Sequence, residues 1–336
     1  MFAHQEQEAF TVDIESDEPA APPLNWAEAQ PRLRPVLRPQ SYVNDLVNNG
    51  AQPWVRPVLP FVNELVVVDL PTARAMVTPR ETDAWGIAGE QVFAVARENL
   101  SAHQQTFTPG EQFLLQDADG DTYIDSMILA TGWLSSLSVA DGPRPLVFFP
   151  GDGALLVGTD APDVAPGLFE AAEKMYLEAE QSISPQGYTI SGNVIVSFDQ
   201  AGPHALRHLG LRARTLLAAN EYHDQAEFLR DHYERELFPQ YVGAAQVIET
   251  AWGARTTAVW GQGLPWELPH ADYVTFLVGD PSQVSDSFTV PFPTVIDLVG
   301  ILPVAGLNPI RYRASEWPTP DVLAALKSHA VELPAE

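Results

Sequence analysis

Phe61 to Leu100, FVNELVVVDLPTARAMVTPRETDAWGIAGEQVFAVARENL, constrains this chain more than any other stretch, because it spells one whole supersecondary unit. Leu65 to Leu70 is a β-branched run too short for an ordinary helix and stopped by Pro71, which predicts a buried strand. Pro71 and Thr72 supply a turn, since proline fixes φ and lacks a donor, and Ala73 to Thr78 returns as the partner strand. Pro79 then ends pairing, and Thr82 or Asp83 is expected to cap a short turn holding Ala84, Trp85 and Gly86. In the following GEQVFAVARENL, Val92, Phe93, Ala96 and Leu100 recur at helical spacing while Glu90, Arg97 and Glu98 fall elsewhere, so a helix covers one face of the pair.

This order of strand, strand, WGI turn and ARENL helix, followed by DTYIDSMIL and PLVFFPGDGALLV, resembles the YtpQ-like bacterial family, a domain of unknown function. The resemblance covers residues 55 to 190, with Pro31 to Pro35 (PRLRP) as an upstream part. Gly151-Asp152-Gly153 stands where that family has Arg-Asp. The resemblance implies an α+β fold, and since the family has no established activity it assigns no catalytic residue.

Composition bounds the rest. With 336 residues, 46% hydrophobic and 10% aromatic, the chain suggests about two globular domains. It has no apolar run of membrane-spanning length. The opening MFAHQEQEAF lacks a signal peptide's apolar segment, so a cytoplasmic location is expected. Zero cysteines exclude disulfides, thiolate catalysis and cysteine-ligated metal. The net charge of -26, with Lys174 and Lys327 the two lysines, opposes binding to phosphate backbones or anionic lipid and favours a basic protein partner. The same acidity also serves solubility.

Residues 1 to 24 read as an acidic disordered tail in which Phe10, Val12 and Ile14 alternate as an addable strand would. Proline punctuates Pro31 to Pro60, where Arg32, Arg34 and Arg38 are expected to pair internally and a helical pattern is confined to Ser41 to Asn48. Glu111 to Gln116 and Thr122 to Leu129 flank DADGD and predict a hairpin. Asp117, Asp119, Asp121 and Asp125 invite a calcium reading, but Gly120 is at the fourth position rather than the sixth and no distant glutamate follows, so a solvated turn is expected. A helical stretch over Ala130 to Leu137 precedes a second hairpin, Pro145 to Phe149 with Ala154 to Gly158. Leu168, Phe169, Ala172, Met175, Tyr176, Ala179 and Ile183 then line one helix face, giving a second ββα unit and a continuous mixed sheet in the first half.

Gly187 to Asp199 reads as a strand pair, and Pro203 to Phe238 as two helices broken near Asn220. His204, His208, His223 and His232 have no HExxH context, so no metal is expected. Strands follow in AAQVIET, ARTTAVW, DYVTFLVG and from Phe288, with helix at the end of Phe288 to Val299 and from Asp321 to Val331. Trp252, Arg255, Trp260, Trp266 and Tyr273 form the densest aromatic stretch, readable either as core or as a binding face. The expected organisation is an α+β fold with a tail at 1–24 and domains at 25–186 and 187–336.

Neither GxGxxG nor a P-loop, and no GxSxG triad, is present, so no cofactor or catalytic residue is assigned. Two functional readings stand. One is a non-catalytic protein-interaction or binding module; the other is a hydrolase or small-molecule binder with a cleft between the halves near residue 190.

Overall fold

A computed structural model of the chain describes residues 24–44, 52–71, 73–102, 106–117, 122–151, 153–233, 240–251, 253–280 and 283–333. The acidic tail, the DADGD loop from 118, residues 45–48 of the expected helix and Trp252 therefore lie outside the described residues. The fold is α+β, built on antiparallel and mixed sheets.

After a capped turn of helix, α1 (Trp26–Ala29), come β1 (Leu33–Pro39), β2 (Val55–Leu59), β3 (Val62–Asp69) and β4 (Arg74–Met76). In this first sheet β3 is central, with β1 on one side and β2 and β4 on the other, all antiparallel. The expected strand pair at 65–78 is there, but β1 and β2 are additions in a proline-rich stretch. Pro35, Pro39 and Pro57 fit because β1 and β2 lie outermost, where a missing N–H breaks no ladder. Thr78, not Thr82, caps α2 (Pro79–Trp85), through a capping box with Glu81. Thr82 is buried inside that helix and accepts the Trp54 indole N–H at 3.1 Å. α3 (Gly89–Ala102) follows and buries Val92, Phe93, Ala96 and Leu100 as the spacing predicts.

The second sheet has order β5-β7-β6-β8-β9, from β5 (Phe113–Gln116), β6 (Pro145–Gly151), β7 (Ala154–Thr159), β8 (Ser182–Ser191) and β9 (Val194–Ser197). The hairpin expected between Glu111–Gln116 and Thr122–Leu129 does not form: β5 pairs with β7, Phe113 opposite Val157. Asp117 Oδ2 accepts the N–H groups of Thr122 and Tyr123 at 2.8 and 2.9 Å, and the chain then enters a 3-10 turn, Ile124–Leu129. That turn is buried on nearly every side, which imitates a strand's apolar run, and α4 (Trp133–Ser136) after it buries Trp133 and Leu134. α5 (Ala165–Glu178) ends before Ile183, which belongs to β8.

The expected continuous sheet is instead two antiparallel sheets meeting through one core. On β3, Leu65 and Val67 face that core while Val66 and Val68 face Val92, Phe93 and Ala96 of α3. On β6, Val147 and Phe149 share the core with Leu65, whereas Leu146 and Phe148 face Ala165, Phe169 and Ala172 of α5. Both central strands are thus buried on two faces.

α6 (Arg207–Tyr233) is one continuous helix, not two. Asn220 does not break it, because its carboxamide donates to the Tyr176 hydroxyl at 3.0 Å rather than competing for backbone. One stripe of α6 packs on the second sheet, and another packs on the C-terminal strands. Beyond it, the third sheet runs β11 (Ala245–Ile248), β12 (Arg255–Gly261), β14 (Tyr273–Asp280), β15 (Gln283–Pro291). The fourth runs β10 (Tyr241–Val242), β13 (Trp266–Pro269), β17 (Arg311–Ala314), β16 (Leu302–Pro303). α7 (Phe292–Val299) and α8 (Pro320–Ser328) complete a second core with Trp260, Phe276 and Phe292. β8 crosses the expected 186/187 division.

Charged ties hold α6 between the halves. The Arg214 guanidinium lies 3.2 Å from Asp199 and 3.6 Å from Asp272. Fully buried Arg311 donates to Gln225 Oε1 at 2.7 Å, to the Gly243 carbonyl at 2.7 Å and to the Tyr222 carbonyl at 2.8 Å. Among the described residues no helix is long and apolar enough to cross a membrane.

Candidate functional site

The end of β1, the start of β8 and the second half of α6 enclose a cavity of about 580 Å³. Its position on α6 follows from spacing: Asp224, Glu227, Phe228 and Asp231 recur at three- and four-residue steps, hence on one side of the helix. Arg38, Ser41, Tyr42 and Asn44 form a second wall, and Glu180, Ser182 and Ile183 a third. Among the described residues, four carboxylates thus border the space against one basic side chain, Arg38. This cleft lies between the expected halves, closer to residues 180–183 than to residue 190.

Its floor is fixed by Ser41. The Ser41 N–H donates to Glu221 Oε2 at 2.8 Å, and the hydroxyl lies 3.3 Å from both Glu221 Oε1 and Asp224 Oδ2. Burial pushes the Glu221 carboxyl up to about 8, against the pull of the Ser41 N–H, while Asp224 adds to the rise. Arg38 donates to the Leu37 carbonyl at 2.7 Å and sits 5.6 Å from the Tyr42 ring centroid, which turns its charge along the wall. Arg38 also faces Asp125, whose carboxyl burial raises and Arg38 pulls back. Glu227 is 3.3 Å from His223 on the outer edge.

The aromatic stretch does not form one face. Trp260 is 0% exposed and packs on Phe276 and Trp317 at 5.3 and 5.8 Å, so it belongs to the core and is removed as a binding residue. Strand alternation puts Arg255 on the opposite side of β12, with Tyr273, the pairing neighbour of Thr257. The Arg255 guanidinium donates to the Ala254 carbonyl at 2.8 Å. Trp266 lies in another sheet, its indole N–H donating to the Gly261 carbonyl at 3.0 Å and its ring against Tyr241 at 5.3 Å.

Of the histidines, His204 accepts the Leu206 N–H at 3.1 Å. Among the described residues no group of three or more His, Asp or Glu could hold a metal ion. The cleft residues that sequence reasoning missed had one signal available, the run of carboxylates at helical steps in α6. Their partners on β1 and β8 had none, being about 180 and 40 positions away in the chain.

No family model, curated protein or solved structure matches this chain. The geometry therefore carries the functional argument alone. A cleft walled by carboxylates, with aromatic Tyr42 and Phe228 at its sides, can receive a cationic group and the apolar stem that carries it.

Proposed function

We propose that this chain is a non-catalytic binding protein whose acidic cleft takes a lysine or arginine side chain from a basic protein partner. The observation that carries the reading is the set Glu180, Asp224, Glu227 and Asp231 around one cavity, in a chain of net charge -26. A field of one sign steers and retains a partner of the other. The same reading places the protein in the cytoplasm, away from nucleic acid and membranes. It leaves the resemblance to the YtpQ-like family as a proposal about ancestry.

The test is fluorescence anisotropy with a labelled arginine- and lysine-rich peptide at low and near-physiological ionic strength. Neutralising Asp224, Glu227 and Asp231 to Asn, Gln and Asn is expected to weaken binding at low salt by about tenfold, since rim charges contribute up to about 1 kcal/mol each. Equal binding by the triple variant and the natural chain would remove the cleft from the interaction.

A hydrolase is the second reading, favoured by one observation: a proton-holding carboxyl, Glu221, beside Asp224 is the pairing acid catalysis uses. Against it, Glu221 is 2% exposed beneath Ser41 and does not border the cavity, so no substrate atom reaches it.

A further inference from the structure

A second cavity, of about 570 Å³, opens where β10 and β13 run side by side next to the last turn of α6. We propose that it is a binding site for a neutral carbohydrate. Its wall is an aromatic pair. Tyr241 and Trp266 are register partners on the parallel strands, and their rings meet at 5.3 Å and 36°. Tyr241 is 49% exposed, so much of its ring is open to a ligand. Val259 extends the apolar floor.

Among the described residues the polar side chains around this wall are two carboxamides, Gln240 and Gln246, the Arg230 guanidinium and the Tyr233 hydroxyl, which is spent on buried Glu267 at 3.0 Å. Each carboxamide offers both a donor and an acceptor, as a ring of hydroxyls requires. Gln240 lines the cavity with an unspent acceptor, its Oε1 having no donor among the described residues. The atom is shielded from solvent and costs stability until a donor reaches it, so a ligand hydroxyl that draws the carboxamide toward the space satisfies it.

The chemistry separates the candidate ligands. A proline-rich peptide, whose prolines lack an N–H, leaves the Gln240 Oε1 without a donor, and the Trp266 indole N–H that would meet its carbonyl is spent on the Gly261 carbonyl at 3.0 Å. An anionic ligand meets the field of a chain of net charge -26. A sugar presents hydroxyl donors at its edge and an apolar C–H face to stack on Trp266 and Tyr241, and the volume suits one or two rings.

The test is native electrophoresis of the full chain through gels containing soluble neutral polysaccharides: hydroxyethylcellulose, starch, laminarin, galactomannan and arabinoxylan. At least one is expected to slow the natural protein relative to a plain gel. Tyr241→Ala, at a surface position, is expected to weaken that retardation at least fivefold with an unchanged circular dichroism spectrum, and Gln240→Ala at least twofold. Trp266→Phe, which keeps an aromatic face, is expected to bind detectably, guarding against loss through misfolding. Absence of retardation in every gel overturns the proposal, as does retardation equal in Tyr241→Ala. A decaproline peptide that shifts tryptophan fluorescence where no saccharide does would also overturn it and make the site a peptide groove.

Discussion

Glu221 has the strongest predicted signature of any single side chain. Its carboxyl ordinarily titrates near 4.5 and is raised to about 8 in the folded chain by burial. Between those values the native state keeps a proton that the unfolded chain has lost, so protons are taken up on folding and stability falls as pH rises. The contribution is complete below 4.5 and is lost as pH climbs through 8, at a slope of up to about 1.4 kcal/mol per pH unit. Glu221→Gln keeps an acceptor for the Ser41 N–H and cannot ionise. Urea midpoints from about pH 5 to 8.5 are expected to decline for the natural chain and to run nearly flat over this window for the variant; parallel curves would show that Glu221 is not the group responsible. Nothing local in NEYHD announces this role. The partner is Ser41, a hundred and eighty positions upstream.

At the scale of elements, legibility follows burial. β3, β6 and β7 are read correctly from sequence because strands covered on both faces become unbroken apolar runs. β1 is obscured by prolines that only its outermost position permits, and Ile124–Leu129 is misread because a buried turn and a buried strand share a composition. α6 is misjudged for a related reason. With neighbours on two sides its buried face is broad and carries Thr215, Glu221 and Gln225 beside Leu211 and Leu217, so it does not read as an apolar stripe. Gly210 within it yields a sharp expectation. Alanine normally gains about 1 kcal/mol over glycine in a helix. Here a Cβ would lie 2.9 Å from the Asp199 backbone nitrogen and 3.2 Å from Phe198 Cδ1, and overpacking of that kind costs about 1–3 kcal/mol. Gly210→Ala is therefore expected to lower the urea midpoint by the equivalent of up to about 2 kcal/mol; a rise would mean that the 3-10 turn at Phe198–Gln200 gives way freely.

For the whole molecule, the question is whether the halves are independent. Arg214 grips Asp199 on one side and Asp272 on the other, and Arg311 ties β17 to the helix that also carries Glu221. These links predict one unfolding event. Leu65→Ala in the first core and Val295→Ala in the second each remove a fully buried side chain, at a cost of roughly 1–5 kcal/mol. Each is expected to shift the same single transition, seen identically by tryptophan fluorescence and far-ultraviolet circular dichroism. A biphasic curve in either variant would separate the halves. The sites themselves were the least legible feature, since the cleft is assembled from residues 38–44, 180–183 and 224–231 and exists only once α6 is in place.

α6 also borders both cavities: Asp224, Glu227, Phe228 and Asp231 on one, Arg230 and Tyr233 on the other. A ligand that holds either wall restrains the same closing turns, so deuterium uptake at these amides is expected to report on both cavities. On the two proposals above, a basic peptide in the cleft is expected to slow exchange at the amides beside the second cavity, and a saccharide there to slow it, by reciprocity, beside the cleft.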